Sequence, residues 1–282
     1  MAAGRSRLYH RGVLLIVDLD GVVYRGPAPV PGMPELLTAR VASGDRVVYA
    51  TNNSRWHRTE YLERLRGMGA PADPTLIVTS ARATALAMIE SAPPVRCVMV
   101  LGGQGLAREL RDVGLETVAP TRFGLEAGPD VVVVGVDFGL RYERLSLAAE
   151  AVRRGARFVA TNRDPVYPAA DELKAGAGSI VAALVVAAGR EPDLVVGKPE
   201  PTLFRAAAAA AGMPVEAAVV IGDGLQTDIR AAHAVGARSV LMLTGVTTRG
   251  HLDEADQATH PTAIAHDAAE LAAILERFAT LP

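Results

Sequence analysis

Two carboxylates, Asp18 and Asp20, stand two residues apart at the end of the apolar run 13–17, and Gly21 follows them. Residues two apart on an extended chain project to the same side, so both can face one pocket. Carboxylates held that close repel unless a cation lies between them or one keeps its proton. Two more acids, Asp223 and Asp228, follow the apolar run 218–221 and Gly222. Thr51 follows a third run, 46–50, with Asn52, Asn53 and Ser54 behind it, and Lys198 stands in Val196-Gly197-Lys198-Pro199. Taken singly, each has an ordinary explanation. Aspartates favour turns, and an Asp in the first turn of a helix is stabilised by the helix dipole. Together they form a chemical set. Four converging acids need a counter-ion, and an all-oxygen site suits Mg²⁺. Thr51 and nearby backbone amides can hold phosphate oxygens, and Lys198 supplies charge opposite the acids. A carboxylate nucleophile, a neighbouring acid/base, Mg²⁺ and a cationic clamp specify phosphoryl transfer through an aspartyl phosphate.

The lysine is informative by its rarity. Of the 29 basic residues, 27 are Arg and only Lys174 and Lys198 are Lys. In a chain that uses Arg so freely, a surviving Lys points to a position needing a compact charge rather than a planar fork.

The elements that must position these residues read as alternating strands and helices. Runs 13–17, 46–50, 95–100, 131–136, 157–160, 193–196, 218–221 and 239–243 have the Val- and Ile-rich character of buried strands. Residues 59–68, 142–153, 179–188, 202–211 and 225–235 read as helices. This alternation predicts an α/β fold, a parallel sheet with helices on both faces. In such sheets ligands sit beyond the carboxyl ends of the strands. That is where Asp18, Thr51 and Asp223 fall.

Four segments in order, DLDGVVY at 18–24, TNNS at 51–54, VGKPEP at 196–201 and GDGLQTDI at 222–229, resemble the haloacid dehalogenase superfamily. The resemblance is nearest to its NagD-like, nitrophenylphosphatase and phosphoglycolate or glycerol-phosphate phosphatase group. It covers nearly the whole chain. It implies a Rossmann-like, doubly wound parallel-sheet core, residues 1–84 and 189–282, with a smaller C2-type α/β cap domain inserted at 85–188. It implies Asp18 as nucleophile and Asp20 as the acid that protonates the leaving oxygen and then activates water. An Asp at that second position favours a phosphatase over a dehalogenase. Thr51, Asn52 and Lys198 would bind the phosphoryl group. Mg²⁺ would be held by the Asp18 side chain, the Asp20 carbonyl and Asp223, with Asp228 behind them. Gly224 departs from the pattern, since many relatives carry a larger polar side chain there. Within the cap, residues 161–168 resemble the group's substrate-facing loop, which makes Asn162 and Asp164 candidate substrate contacts. Lys174, just beyond, is a further candidate for an anionic substrate. Gly176 and Gly178 are expected to shape the turn into the next helix.

The remaining features bound the function. A formal net charge of −2 and a pI near 6.3 argue against a bulk electrostatic grip on nucleic acid. No run reaches the roughly 18 apolar residues of a membrane span. The basic residues 1–11 lead into a run that ends in two carboxylates, unlike a signal peptide, so the chain reads as cytoplasmic. One cysteine, Cys97, excludes an internal disulfide and reads as a buried packing residue. The six His, including His10, form no zinc-binding spacing. His57 is expected in a surface or capping role, Trp56 at the cap–core junction, Gly102-Gly103-Gln104-Gly105 as a turn, and Ser80 as a helix cap. The leading expectation is a Mg²⁺-dependent phosphatase of small phosphorylated metabolites, with a homodimer implied by resemblance. Its rivals are a phosphotransferase or mutase using the same aspartyl phosphate, and a non-catalytic phosphometabolite-binding protein. Transfer to an added acceptor distinguishes the first rival, and absence of turnover with Mg²⁺ the second.

Overall fold

The computed structural model describes residues 12–168, 172–256 and 259–280. The basic N-terminal segment and His10 lie outside the described residues. Strand β1 (Leu14–Val17) is followed by a small hairpin, β2 (Tyr24–Arg25) and β3 (Ala28–Pro29), then by β4 (Arg46–Thr51) and β5 (Ile77–Thr79). The chain next builds β6 (Cys97–Leu101), β7 (Glu116–Val118), β8 (Val131–Val134) and β9 (Arg157–Ala160). A hairpin of β10 (Val166–Pro168) and β11 (Leu173–Ala175) and the short β12 (Leu194–Val195) follow. The last strands are β13 (Ala218–Gly222), β14 (Arg238–Met242) and β15 (Ala263–Ala265).

These strands make two separate parallel sheets. One has six strands in the order β15-β14-β13-β1-β4-β5, and the other has five in the order β12-β9-β8-β6-β7. Both are covered on two faces, as parallel sheets require. In β1, Leu14 and Ile16 join one core and Leu15 and Val17 the other, the period of two that sends alternate side chains to opposite faces. The first face packs the helices Ser80–Ile89 and Thr202–Ala211. The second packs Met33–Ala42, Arg58–Gly67 and Ala268–Thr280.

The five-stranded sheet is built in the same way. Met99, Leu101, Val132 and Val134 face the helices Tyr142–Arg153 and Ala177–Ala188. Val98, Val100, Val131 and Val133 face the other way and merge with the core that also covers β1. The two sheets therefore share one continuous apolar layer, which fixes how they meet. Cys97 is buried at the start of β6, as its apolar setting predicts. No helix among the described residues is long and apolar enough to cross a membrane.

One element departs from its expected form. Residues 225–235 read as a single helix, but the chain makes a wide turn over Leu225–Ile229 before a short helix, Arg230–Ala234. The Ile229 amide reaches back five residues to the Gly224 carbonyl at 3.1 Å. The wider turn is a π-type departure of the kind found at functional sites. It tucks the Asp228 side chain under the end of β13, where a Cβ on Gly222 would lie 2.2 Å from that of Asp228.

Candidate active site

The carboxyl ends of β1, β4 and β13 open into a cleft of about 390 Å³ between the two sheets. Asp18, Asp20, Thr51, Asn52, Lys198, Asp223 and Asp228 all line it, with Asn162 and Asp164 from the segment after β9. Asp18 and Asp228, 210 positions apart in sequence, meet here because the parallel strands β1 and β13 end on the same side.

Lys198 is the centre of the arrangement. It is only 3% exposed, and its ammonium donates to Asp18 Oδ1 and Asp228 Oδ1, both at 2.7 Å, and to the Ala50 carbonyl at 3.2 Å. Three acceptors around one nitrogen match the three N–H groups of an ammonium. Burial works against the Lys198 charge, but Asp18 and Asp228 outweigh it and hold its pKa above the ordinary value. The lysine is a fixed cation.

The acids are short of positive charge even so. Burial pushes the Asp18 carboxyl well above the usual range. Asp228 and Asp223 add to the shift, and Lys198 opposes it. Asp223 is raised to about 7 by burial and by Asp228, against the hydrogen bond from the Val246 amide and the field of Lys198. Asp20 is raised by burial, opposed by Arg64 and Lys198. One oxygen from each of Asp18, Asp223 and Asp228 falls within 4.8 Å of the others. Hard oxygen donors carrying an uncompensated charge fit a divalent cation such as Mg²⁺. Asp228 has less to offer such an ion. Its Oδ1 accepts from Lys198, and its Oδ2 accepts from the Gly224 amide and the Thr227 hydroxyl.

Glycines make room for this packing. A Cβ at Gly21 would stand 2.2 Å from Asp223 Oδ2, and one at Gly245 only 1.8 Å from it. Gly21 also has φ +80°, which side-chain-bearing residues rarely adopt. A Cβ at Gly224 would lie 2.1 Å from the Thr227 hydroxyl. A side chain at 224 would have to displace that hydroxyl, which bonds to Asp228. At Gly176 and Gly178, a Cβ would come within 2.3 Å of the Asp164 and Arg163 carbonyls, so both let the loop lie against the following helix.

Several expected residues behave differently from their sequence reading. Lys174 lies on β11, exposed, paired with Glu172 at 3.1 Å and over the Phe138 ring at 5.3 Å, and it does not line the cleft. Asn52 lines the cleft as expected of a phosphate contact, and its side-chain amide bonds to Lys198 and Asp164. Ser80 is not the cap of its helix. Thr79 caps it by accepting from the Arg82 amide, while Ser80 Oγ donates to the Asn52 carbonyl at 2.5 Å. His57 caps the helix Arg58–Gly67 in a reciprocal box with Glu60, but it is buried rather than on the surface.

His57 also meets Asp112 and Glu109, and the three offer ligand atoms within 4.8 Å. The Arg58 guanidinium sits among them, bonded to Glu109, Asp112 and His57. This makes the group an ion-pair network joining the two sheets' helices. Of Gly102-Gly103-Gln104-Gly105, expected as a turn, Gly102 and Gly103 connect β6 to the helix Gln104–Asp112, while Gln104 and Gly105 already form its first turn. Trp56 is 39% exposed and lines a groove shared with that turn.

The residue reading missed the Val246 amide, which donates to Asp223 at 2.8 Å, and Asn53, which donates to the Tyr167 hydroxyl at 3.2 Å. The first had a signal. Residues 244–247 follow the predicted strand 239–243, so the strand-end rule that selected Asp18 and Asp223 applies equally to them. Nothing in the sequence pairs Asn53 with Tyr167.

Comparison with known proteins identifies the family. Residues 15–116 match the family model for haloacid dehalogenase-like hydrolase, and residues 195–271 match a second, described as HAD-hydrolase-like. The D-glycerol 3-phosphate phosphatase of Mycobacterium tuberculosis is 39% identical over 253 residues, 90% of this chain and 69% of that protein. A crystal structure of 4-nitrophenylphosphatase from Thermotoga maritima superposes with a TM-score of 0.84 at 33% identity, covering 94% of this chain and 97% of that one. The glycerol phosphate phosphatase of Mycobacterium tuberculosis in complex with magnesium gives a TM-score of 0.83 at 37% identity, over 92% of this chain and 77% of that one.

Proposed function

The chain belongs to the haloacid dehalogenase-like hydrolases, and we propose that it hydrolyses small-molecule phosphate monoesters through a phosphoryl group carried on Asp18. The observation that carries this reading is the buried Lys198 ammonium bridging Asp18 and Asp228 in a cleft that also holds Asp20, Thr51 and Asp223.

In this reading an Asp18 carboxylate oxygen attacks phosphorus, and the ester oxygen leaves with a proton from Asp20. Burial suits Asp20 to that task, because it keeps the carboxyl above its usual range and able to hold a proton. Asp20 then takes a proton from water as that water attacks phosphorus, which frees Asp18 and releases phosphate. Lys198 holds Asp18 in place and offsets charge on the transferring group. The Thr51 hydroxyl faces the same space and accepts from the Asn53 amide at 3.2 Å. Asp18, Asp223 and the Asp20 carbonyl would hold Mg²⁺, with Asp228 tying the metal loop to Lys198. When bound, Mg²⁺ neutralises phosphate charge and favours the ionised form of Asp18.

The five-stranded sheet with its helices and the β10–β11 hairpin serve as the cap, which excludes water from the cleft and, because β12 pairs with β9, runs past the expected boundary at 188 to Val195. Cytoplasmic residence and the homodimer that the resemblance implies belong to the same proposal, and sedimentation of the purified protein tests the second. The test of function is phosphate release from a panel of sugar, polyol and nucleotide phosphates and 4-nitrophenyl phosphate, with Mg²⁺ and with chelator. Turnover is expected only with the metal. Asp18→Asn should abolish it while leaving the melting temperature near that of the parent. Full activity in that variant would remove Asp18 as nucleophile.

A further inference from the structure

Asn52 is tied to the protein on every side. Its Oδ1 accepts from the Lys198 backbone N–H at 2.7 Å, and its Nδ2 donates to the Lys198 carbonyl at 2.9 Å. The same Nδ2 lies 3.1 and 3.0 Å from the two carboxylate oxygens of Asp164. The Asn52 carbonyl accepts from Asn162 Nδ2 at 2.7 Å and from Ser80 Oγ at 2.5 Å. The other end of Lys198 is held by the preceding part of the same segment, through the Ala50 carbonyl at 3.2 Å. Gly197 makes the approach possible, since a Cβ there would stand 2.5 Å from Asn52 Oδ1 and 2.7 Å from the Thr161 carbonyl.

We propose that Asn52 is a positioning residue that couples the Asp164 loop of the cap to Lys198, so that the cap loop and the cation beside the nucleophile move as one unit. The proposal rests on the reading of Lys198 as part of the phosphoryl-transfer site. The physical reason is the amide itself. It accepts from one N–H while donating to two acceptors, which neither a carboxylate nor an apolar side chain of that size does. Asp164 is half-buried, and desolvation raises its carboxyl while the Asn52 hydrogen bond opposes that shift. Each group therefore satisfies the other, and a change at either is felt by both. A displacement of Lys198 by a fraction of an ångström is enough to affect a step that depends on close placement.

A double-mutant cycle tests this, with kcat and KM for 4-nitrophenyl phosphate in Mg²⁺ measured for the parent, Asn52→Asp, Asp164→Asn and the swapped double variant. Asn52→Asp sets two carboxylates against each other. In the double variant the new amide at 164 donates to the new carboxylate at 52, with the total charge of the pair unchanged, while the bond to the Lys198 carbonyl stays lost, so recovery is partial. Asn52→Asp alone is expected to lower kcat about 10- to 100-fold, with a smaller change in KM. The swap is expected to exceed the product of the two single effects by at least about tenfold. Multiplicative single effects in an active parent would overturn the proposal and leave the phosphatase reading intact. Recovery of the melting temperature without recovery of kcat would assign Asn52 a structural role only and also overturn it. A parent with no Mg²⁺-dependent turnover would remove the phosphatase reading and this proposal together. If Asn52→Asp does not fold, the cycle of Asn52→Ala with Asp164→Ala is scored for the same coupling, by the same criteria.

Discussion

Without a divalent cation, the acid cluster should make this protein less stable as pH rises through the physiological range. Asp223 carries the largest part that can be worked out. Its carboxyl is raised from 3.8 to about 7 by burial and by Asp228. In the unfolded chain it loses its proton near pH 4, while the folded protein keeps it until about pH 7. Between those values the folded state binds more protons, so stability is greatest below pH 4, falls as pH rises, and levels off above 7. Each unit is worth about 1.4 kcal/mol, so Asp223 alone contributes a loss of roughly 3 kcal/mol between pH 5 and 8. Asp18 is shifted in the same direction and adds to it. The acids with lowered values, such as Asp73 and Asp130, contribute stability that disappears only as pH falls below about 4, outside this window. The assay is urea unfolding at pH 5, 6, 7 and 8, with chelator or with saturating Mg²⁺, for the parent and for Asp223→Asn. The metal-free parent should weaken by about 3 kcal/mol or more, and Asp223→Asn should reduce that loss by the roughly 3 kcal/mol that Asp223 contributes. Mg²⁺ at about 100 times its dissociation constant should restore about 2.7 kcal/mol at pH 8 in the parent and far less in the variant. A metal-free parent whose stability is flat or rising from pH 5 to 8, or an equal slope in Asp223→Asn, would refute the reasoning.

Two other perturbations follow from the same contacts. Lys198→Arg puts a planar, larger group where three acceptors surround one nitrogen. Losing one charge-assisted hydrogen bond of about 1.5–3 kcal/mol predicts a fall in kcat of roughly 10- to 150-fold. Parental turnover in steady-state assays would end the compact-charge account of this lysine. Glu109 is fully buried, accepting from the Arg58 amide at 2.9 Å and from the Arg58 guanidinium, with Arg82 3.8 Å away. Glu109→Ala takes the carboxylate from beside Arg82 and leaves Arg58 paired with Asp112 alone, and should cost about 1–3 kcal/mol in denaturant unfolding, with Glu109→Gln milder. A cost under about 1 kcal/mol would show the network to be dispensable.

The fold and the main cleft were legible because their signals are local. The alternating faces of β1 and the Val-rich runs of β6 and β8 are periodicities that burial in a parallel sheet imposes. The spacing of Asp18 and Asp20, and the position of Asp223 at a strand end, follow from the same backbone geometry. Lys198 was recoverable through composition, since a chain that replaces Lys by Arg kept it at one buried cage of three acceptors. The turn at 225–229 was not legible. Its residues, Leu225 to Ile229, give no sign that Asp228 must pack under Gly222.

By itself, then, the sequence determined the parallel α/β architecture and the set of acids and lysine at the strand ends. Both depend on residue type and on spacing along one chain segment. Tertiary structure alone decided which partners those residues take. It gave the Asn52 amide to Lys198 and Asp164 and left Lys174 on the surface beside Glu172. It buried His57 beside Asp112 and Glu109 and brought the Val246 amide to Asp223. Hydrogen-bond partners are set by distances of about 3 Å between groups far apart in sequence, and no pattern within a single segment encodes such a distance.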